Sequence, residues 1–411
     1  MLTYSESQIM KKIIFPLLLI GGLSISCDKN FDIAQVIKKR SELYKKQDQL
    51  IKNNDNSFEV KFNPVTPKYK LETREIIETF YHNRINRGGF WGQFLVAKNG
   101  EIIFEDYQGY ANYQNKEKIN DSTPMHVASV GKVFTGVTIL RLIHEGKISL
   151  DQKVNTILTG FPFDDITVRL LLNHRSGLPY YGNFTAKPGM WDTKKTLTNK
   201  DVLHLLETKN IKLDFKPNTR FTYSNTNYVL LALIVEQVTK KSFQDAMKEL
   251  ILNPLKMQNT FVLDNLENKD KITQSYHANN QRMHWDYLDG TYGDKNIYTT
   301  ARDMLKLDKA LYSDNFISKA LKAEMYKGYS YEKSGANNYG LAIRMVEPKG
   351  DGGNLYTFHN GWWRGNRTSY VTLRKDTITI ICFNNHNSQM AYKTKELAPR
   401  LGNYPFIQIN D

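Results

Sequence analysis

The chain has 411 residues, of which 40% are hydrophobic and 24% charged, so it can bury a sizeable core and is not globally disordered. This composition excludes a collagen, a coiled coil and a short disulfide scaffold, while the length allows two or three domains or one large interrupted domain. The formal net charge is +14, but the basic residues are scattered along the chain, so we expect a solvated lysine-rich surface and no nucleic-acid partner.

The N-terminal segment is typical of an exported lipoprotein. A pair of lysines precedes a short apolar run that ends at Ser26, which is the pattern of a secretory signal, and the run is too short to cross a membrane comfortably. Ser26 directly before Cys27 resembles a bacterial lipoprotein processing site. We therefore predict a signal peptide over 1–26, a tether over 27–66 and a lipid on Cys27 that anchors the protein in the cell envelope, facing the periplasm or cell surface. Ordinary cleavage nearby and an uncleaved anchor are the alternatives.

Hydrophobic periodicity predicts strands at both ends of the chain and helices between them. Apolar spacing indicates a first helix from about 69 to 84, and two strands over 94–97 and 102–104 flank Asn99-Gly100, a strong hairpin signal because both positions tolerate positive φ. The helices predicted next are 130–144, 166–173, 200–207, 227–239, 243–252 and 300–311. The later strands are 339–346, 355–358, 368–373 and 377–383, followed by a closing helix at about 389–399.

Strands that bracket a helical middle favour one antiparallel sheet built from both ends of the chain, flanked by helices, with an all-helical lobe inserted. The predicted fold class is therefore α/β (α+β). The sheet lobe would comprise 67–132 and 290–411, and the helical lobe 133–289. A cleft should form where the lobes meet, and such clefts are frequent ligand sites.

The first chemical motif is Ser129-Val-Gly-Lys132. Residues three apart share a helix face, so Lys132 would stand one turn from the Ser129 hydroxyl and could take its proton. The spacing alone is weak, because it recurs in this lysine-rich chain. The context is stronger: Ser122-Thr-Pro124 is expected to begin a helix that continues as an apolar stripe to Gly146. Ser129 would then lie near a helix N-terminus, where unpaired N–H groups can stabilise an oxyanion.

The second motif is Tyr223-Ser-Asn225, in a polar loop that opens an apolar helix. A tyrosine can act as a base if nearby cations favour its phenolate, and Lys132 could supply that charge. Asn225 offers both a donor and an acceptor to an amide-bearing substrate. The same spacing recurs elsewhere in the chain, so a loop-capping pair is the alternative interpretation.

The third motif, His359-Asn-Gly-Trp362, lies at the end of a strand pattern. Gly361 would let a substrate backbone lie close to the strand, and the Trp362 N–H could be a second oxyanion donor. Lys333-Ser-Gly335 is a competing candidate. We reject it because it lies in a loop rich in glycine and asparagine, and not on a core strand.

Taken in order, these residues resemble the serine β-lactamase and penicillin-binding-protein-like superfamily, closest to its class C β-lactamase, DD-carboxypeptidase and esterase branch. The resemblance covers about 70–400. Seven short stretches before His359 match the family and occur in the same order as in the family: 109–112, 125–132, 145–151, 170–179, 223–225, 299–303 and 339–341.

The resemblance implies an active site between an α/β lobe and a helical lobe, with no metal or cofactor. Ser129 would be the acylated nucleophile, Lys132 its partner and Tyr223 the proton shuttle to the leaving group. Asn225 would orient the substrate and His359 would complete the hydrogen-bonded site.

By the same resemblance, the N–H groups of Ser129 and Trp362 would bind the oxyanion. Asn360 and Gly361 would complete the substrate-binding strand. His359 replaces the lysine typical of true β-lactamases, and Asn360 replaces the usual threonine or serine, which weakens the case for a carboxylate-bearing β-lactam. Three arginines are candidates to compensate: Arg344, Arg364 and Arg367.

Two further pairs of residues allow both a functional and a structural interpretation. Trp362 and Trp363 could narrow an apolar acyl pocket or pack as core. His174 and Ser176 could suggest a catalytic pair, but the family position of His174 is a structural loop after a helix.

The sequence therefore predicts a serine hydrolase that acts through an acyl-enzyme on an amide, peptide or ester, with a small molecule or peptide as substrate. One alternative is a true β-lactamase. The other is a catalytically silent lipoprotein that binds cell-wall peptide.

Overall fold

The computed structural model describes residues 58–263, 265–332, 335–347 and 356–404. The predicted signal peptide, Cys27 and most of the tether lie outside these residues, so the lipid anchor stays a prediction. No helix in the described ranges is both long and apolar enough to cross a bilayer.

Twelve strands occur in the described ranges. In chain order they are β1 (Gly92–Lys98), β2 (Glu101–Gln108), β3 (Tyr110–Asn112), β4 (Glu117–Lys118), β5 (Met125–His126), β6 (Phe261–Val262), β7 (Ile297–Thr299), β8 (Asn337–Tyr339), β9 (Arg344–Val346), β10 (Tyr356–Trp363), β11 (Asn366–Leu373) and β12 (Ile378–Asn384). Seven of these described strands form an antiparallel sheet in the order β2-β1-β12-β11-β10-β9-β8. The other described strands form the small sheets β3-β4 and β5-β7-β6.

The two ends of the folded chain meet in the centre of the large sheet. Strand β1 pairs antiparallel with β12 from Gly92↔Asn384 to Lys98↔Ile378. This pairing confirms the predicted sheet built from both ends of the chain. The lobe boundaries themselves stay predictions.

Most α-helices of the described residues lie between β5 and β8. The α-helices of the described residues are α1 (Pro67–Phe80), α2 (Gly131–His144), α3 (Val168–Leu172), α4 (Tyr181–Thr185), α5 (Asn199–Thr208), α6 (Thr226–Thr239), α7 (Phe243–Met247), α8 (Ala301–Ala310), α9 (Lys319–Met325) and α10 (Ala398–Leu401). Single π-helical turns extend α1 over Tyr81–Ile85 and α7 over Lys248–Leu252. Side-chain caps fix the starts of α7 and α8, because the Ser242 and Thr300 side chains accept from the N–H groups of Asp245 and Asp303.

Strand β1 is buried on both faces, because the sheet lies between two cores. Leu95 and Ala97 belong to the core that packs the helices α2 and α6, while Phe94 and Val96 belong to the core under α1 and the C-terminal helices. Alternate side chains of a strand point to opposite faces, so one strand contributes to both cores. The fold is thus a mixed α/β layered structure, as predicted.

Three predicted boundaries were wrong or incomplete. Residues 122–124 do not begin a helix: the Thr123 hydroxyl accepts from the Asn120 N–H in a turn, β5 follows, and helical structure begins at Ala128. The predicted strand over 339–346 is two strands, β8 and β9, joined by a turn. The closing helix is a 3-10 segment over Gln389–Leu397 that continues into α10.

Packing explains the split strand. Ala342 in the turn between β8 and β9 has a φ of 64°, and its Cβ occupies the space where a Cβ on Gly136 of α2 would stand, only 2.1 Å away. The close approach of this turn to α2 depends on the glycine. A local sequence pattern could not predict this contact, because its two residues are far apart in the chain.

Candidate active site

A tight turn between β5 and α2 presents Ser129. Ala128 adopts a left-handed backbone with a φ of 48°, and its N–H donates to Nδ1 of the buried His126 at 3.1 Å. The 3-10 turn Ala128–Val130 then leads into α2 at Gly131. Ser129 therefore lies at the N-terminal end of a helical segment, where the first N–H groups have no intrahelical partner and can stabilise negative charge.

Lys132 lies fully buried behind Ser129. Its Nζ donates to Ser129 Oγ at 2.9 Å and to the Asp294 backbone carbonyl at 2.7 Å. The same Nζ lies 5.1 Å from the centroid of the Tyr223 ring. Both acceptors are neutral oxygens. Together, the two hydrogen bonds hold the amine against the nucleophile and beside the phenol.

The Tyr223 hydroxyl is buried and has no hydrogen-bond partner within the described ranges. Its ring has cationic groups close by, since Arg344 Cζ lies 5.2 Å and Lys132 Nζ 5.1 Å from its centroid. Tyr223 and Ser129 line the same cavity. The phenol and the nucleophile therefore border one cavity, and no hydrogen bond joins them in the described residues.

Asn225 is the residue directly before α6, and it does not cap that helix with its side chain. Its Oδ1 is buried without a partner in the part of the chain that the structure describes, and the residue lines the cavity. The neighbouring Tyr180 also lines the cavity, and burial first, then the charge of Asp294, raises its pKa. A buried amide oxygen without a partner is costly, so a substrate donor is its natural complement.

Strand β10 forms the opposite wall of the cavity. Its pairing with β9 ends at Phe358↔Arg344, whereas its pairing with β11 continues to Trp363. The edge of β10 beyond Phe358 is therefore not paired with a strand among the described residues. Asn360, Gly361 and Trp362 line the cavity along this edge, and Trp362 is 68% exposed.

Gly361 is required for a reason that the sequence did not reveal. A Cβ at this position would lie 2.1 Å from Thr368 Oγ1 and 2.6 Å from the Val127 carbonyl oxygen. The missing side chain thus lets β10 approach the turn that carries Ser129. The sequence pattern had indicated only that the glycine makes room for a substrate backbone.

The structure does not bring His359 into the cavity. Its ring is fully buried, with Nδ1 donating to the Asn360 carbonyl at 2.8 Å and Nε2 accepting from the Tyr339 hydroxyl at 3.2 Å. Burial first, and then the charges of Arg344 and Lys132, hold the pKa of His359 well below its usual value. His359 is a neutral residue behind the cavity wall, with its ring centroid 6.3 Å from that of Tyr223.

His174 and Ser176 do not form a catalytic pair. The Ser176 hydroxyl donates to Asn227 Oδ1 at 2.6 Å, and His174 Nδ1 accepts from the Ser224 N–H and the Asn227 amide. The competing motif at 333–335 cannot be compared in the same way, because Lys333 and Ser334 lie outside the described residues.

The cavity has a volume of about 820 Å³ and gathers predicted and unpredicted residues. Ser129, Tyr223, Asn225, Asn360, Gly361 and Trp362 meet there, with Lys132 behind Ser129. The three arginines named from the sequence also line it, as does Trp363. The cavity is also lined by four residues that were not predicted, because they belong to loops and to the C-terminal 3-10 segment and carry no motif: Tyr180, Asp286, Gln389 and Tyr392.

The arginines differ in their surroundings. Arg364 forms ion pairs with Asp289 and Asp286. Arg367 Cζ lies 5.1 Å from the centroid of the exposed Trp362 ring, and burial lowers the pKa of Arg367. Asp286 is the acidic side chain among the cavity-lining residues, so the described wall is net positive. No group of three metal-ligating side chains occurs within the described ranges.

Comparison with known proteins gives consistent matches. Residues 86–399 match the family described as Beta-lactamase. The chain is 30% identical over 340 residues to penicillin-binding protein 4* of Bacillus subtilis (strain 168), covering 79% of this chain and 74% of that protein. Its fold is similar to that of the penicillin binding protein from Bacillus halodurans, with a TM-score of 0.66, 23% identity and coverage of 80% and 99% of the two chains. EstCE1, described as a hydrolase with promiscuous acyltransferase activity, gives a TM-score of 0.67 at 20% identity, covering 81% and 98%.

Proposed function

Because the chain belongs to the beta-lactamase family, as its match over residues 86–399 shows, we propose that it is a serine hydrolase working through an acyl-enzyme on an amide, peptide or ester. The family match confirms the resemblance drawn from the sequence motifs. The observation that carries the proposal is one amine, Lys132 Nζ, 2.9 Å from the Ser129 hydroxyl and 5.1 Å from the Tyr223 ring centroid.

The reaction begins when Ser129 Oγ attacks the substrate carbonyl carbon. The serine proton passes to the Lys132–Tyr223 pair, and the carbonyl oxygen becomes an oxyanion. The N–H groups of Ser129 and Trp362 are the proposed donors to it, one from the helical turn and one from the part of β10 that extends beyond its pairing with β9. The bond to the leaving amine or alcohol then breaks as that group takes a proton from Tyr223.

A water molecule completes the cycle. It attacks the acyl-serine ester and gives its proton to the same pair, and Ser129 takes a proton back as the acid leaves. The buried Asn225 Oδ1 accepts from a substrate N–H, since it has no other partner among the described residues. The net positive wall favours a substrate that carries an anionic group.

Steady-state turnover separates the candidate activities. Wild type and Ser129→Ala are compared on p-nitrophenyl esters, D-Ala-D-Ala peptides and nitrocefin. Turnover of an ester or peptide by the wild type alone supports the proposal, and a strong preference for nitrocefin favours a true β-lactamase. Saturable peptide binding without turnover of any substrate favours the silent binder, and turnover retained by Ser129→Ala contradicts a serine mechanism.

We also propose that the protein is anchored in the cell envelope through a lipid on Cys27. The support is the order of the basic pair, the short apolar run and Ser26 before the cysteine. Cell fractionation with mass spectrometry of the N-terminal peptide tests it. A diacylglycerol mass on Cys27, with release to the soluble fraction in Cys27→Ala, supports the anchor, whereas an unmodified cysteine contradicts it.

A further inference from the structure

His174 is a fully buried histidine that the proposed reaction does not use. It has a left-handed backbone with a φ of 58° and is the second residue after α3, which ends at Leu172. Its ring centroid lies 4.3 Å from that of Tyr223, 4.9 Å from that of Tyr339 and 5.0 Å from that of Tyr228. The nearest ring is thus the predicted proton shuttle.

His174 also binds the backbone on both sides of Tyr223. Its carbonyl accepts from the Thr222 N–H at 3.1 Å, and its Nδ1 accepts from the Ser224 N–H at 3.2 Å. Together with the ring contact, three interactions hold the segment 222–224. A phenol on a loop would otherwise sample several rotamers and backbone positions, and each such freedom weakens a catalytic geometry.

The hydrogen bonds also fix the tautomer of the ring. A backbone N–H can only donate, so Nδ1 must be the unprotonated nitrogen, and the Asn227 amide donates to it as well at 3.0 Å. The proton of the neutral ring therefore lies on Nε2, which has no hydrogen-bond partner among the described residues. Burial first, then the charge of Lys132, lowers the pKa of His174, which keeps the ring neutral beside the phenol.

We propose that His174 is a positioning residue for Tyr223: it fixes the phenol in the cavity by hydrogen-bonding the flanking backbone and packing against the ring. The inference rests on the proposed function, because a held phenol matters only if Tyr223 moves a proton. Within the described residues, His174 does not line the cavity, and its ring bonds to Ser224 and Asn227 rather than to Ser129.

Two variants separate the contribution of the hydrogen bond to the Ser224 N–H from that of the ring contact with Tyr223. His174→Phe keeps an aromatic ring against Tyr223 but loses the acceptor for the Ser224 N–H. His174→Asn keeps a short acceptor in place of Nδ1 but loses the ring. Circular dichroism and thermal melting establish that each variant is folded before kinetics are measured.

The measured quantity is kcat/KM on two esters that differ only in their leaving group. The same acyl group is offered as a p-nitrophenyl ester, whose leaving group needs no proton, and as a methyl ester, whose leaving group does. Tyr223→Phe defines the profile that loss of the phenol produces. We expect both His174 variants to lose at least about tenfold more kcat/KM on the methyl ester than on the p-nitrophenyl ester, as one misplaced catalytic group can cost 10²-fold.

A double-mutant cycle completes the test. If His174 acts through Tyr223, His174→Phe should lower methyl ester turnover no further in the Tyr223→Phe background. Equal losses on both esters, additive losses in the cycle, or failure of both variants to fold would show a structural role only and overturn the inference. Turnover that survives Ser129→Ala would instead refute the proposed function, which distinguishes the two failures.

Discussion

The contact at Gly361 gives a prediction whose size follows from the structure. In Gly361→Ala, the new methyl group would meet Thr368 Oγ1 at 2.1 Å, the Val127 carbonyl oxygen at 2.6 Å and the Ala128 Cβ at 3.1 Å. The first two atoms already bond to each other, because Thr368 Oγ1 donates to the Val127 carbonyl at 2.7 Å. The substitution must therefore push β10 away from the turn that carries Ser129.

The expected loss combines two effects. Overpacking a close contact costs about 1–3 kcal/mol, and losing the buried hydrogen bond costs about 1 kcal/mol. The free energy of unfolding should thus fall by roughly 2–4 kcal/mol. Separation of Ser129 from the Trp362 N–H by on the order of 1 Å should lower kcat/KM by about 10²-fold.

Thr368→Ala is the matched control. It breaks the same hydrogen bond but adds no atoms, so it should cost only about 1 kcal/mol and less than about tenfold in kcat/KM. Urea unfolding and steady-state kinetics on all three proteins provide the measurement. A Gly361→Ala protein with wild-type stability and turnover would refute the claim that the strand and the nucleophile turn touch at this point.

Three further predictions concern the site and its support. Lys132→Met keeps the length of a fully buried side chain but removes the amine, so kcat/KM should fall by about 10²- to 10⁴-fold while melting shows a folded protein. Trp362→Ala keeps the backbone N–H, so KM should rise by about tenfold or less with kcat unchanged; an equal fall in kcat would contradict a purely backbone role at the oxyanion. Burial lowers the pKa of His126 to about 4, so the unfolded state binds the proton more readily, and His126 alone should account for about 2 kcal/mol of the fall in the free energy of unfolding from pH 7 to pH 5. Urea unfolding of the wild type and of His126→Asn at both pH values tests this, because the fall in the free energy of unfolding should be smaller in the variant by the contribution of His126. An equal fall in both proteins would refute that contribution.

Much of the fold could be predicted because its signals are local. The Asn99-Gly100 hairpin has positive φ at both residues, 52° and 71°, as the dipeptide indicates. Helices such as α2 and α6 follow long apolar patterns. The antiparallel pairing of β1 with β12 followed from strands at both ends of the chain.

The features that could not be predicted depend on contacts between distant parts of the chain. The left-handed turn at Ala342 depends on Gly136, roughly two hundred positions earlier in the chain, and the reason for Gly361 lies in Val127 and Thr368. The motif containing His359 gave no indication that its ring packs away from the cavity onto Tyr339. Periodicity and spacing record which residues share a face, but they do not record which face meets which neighbour.

The central claim is that Ser129 becomes covalently acylated with the help of its neighbours. Intact-protein mass spectrometry after exposure to a fluorophosphonate probe tests it most directly. We predict a single adduct that maps to the peptide containing Ser129, is absent in Ser129→Ala and forms much more slowly in Lys132→Met. An adduct on another residue, or an unmodified protein after exposure to fluorophosphonate and penicillin probes alike, would contradict the account.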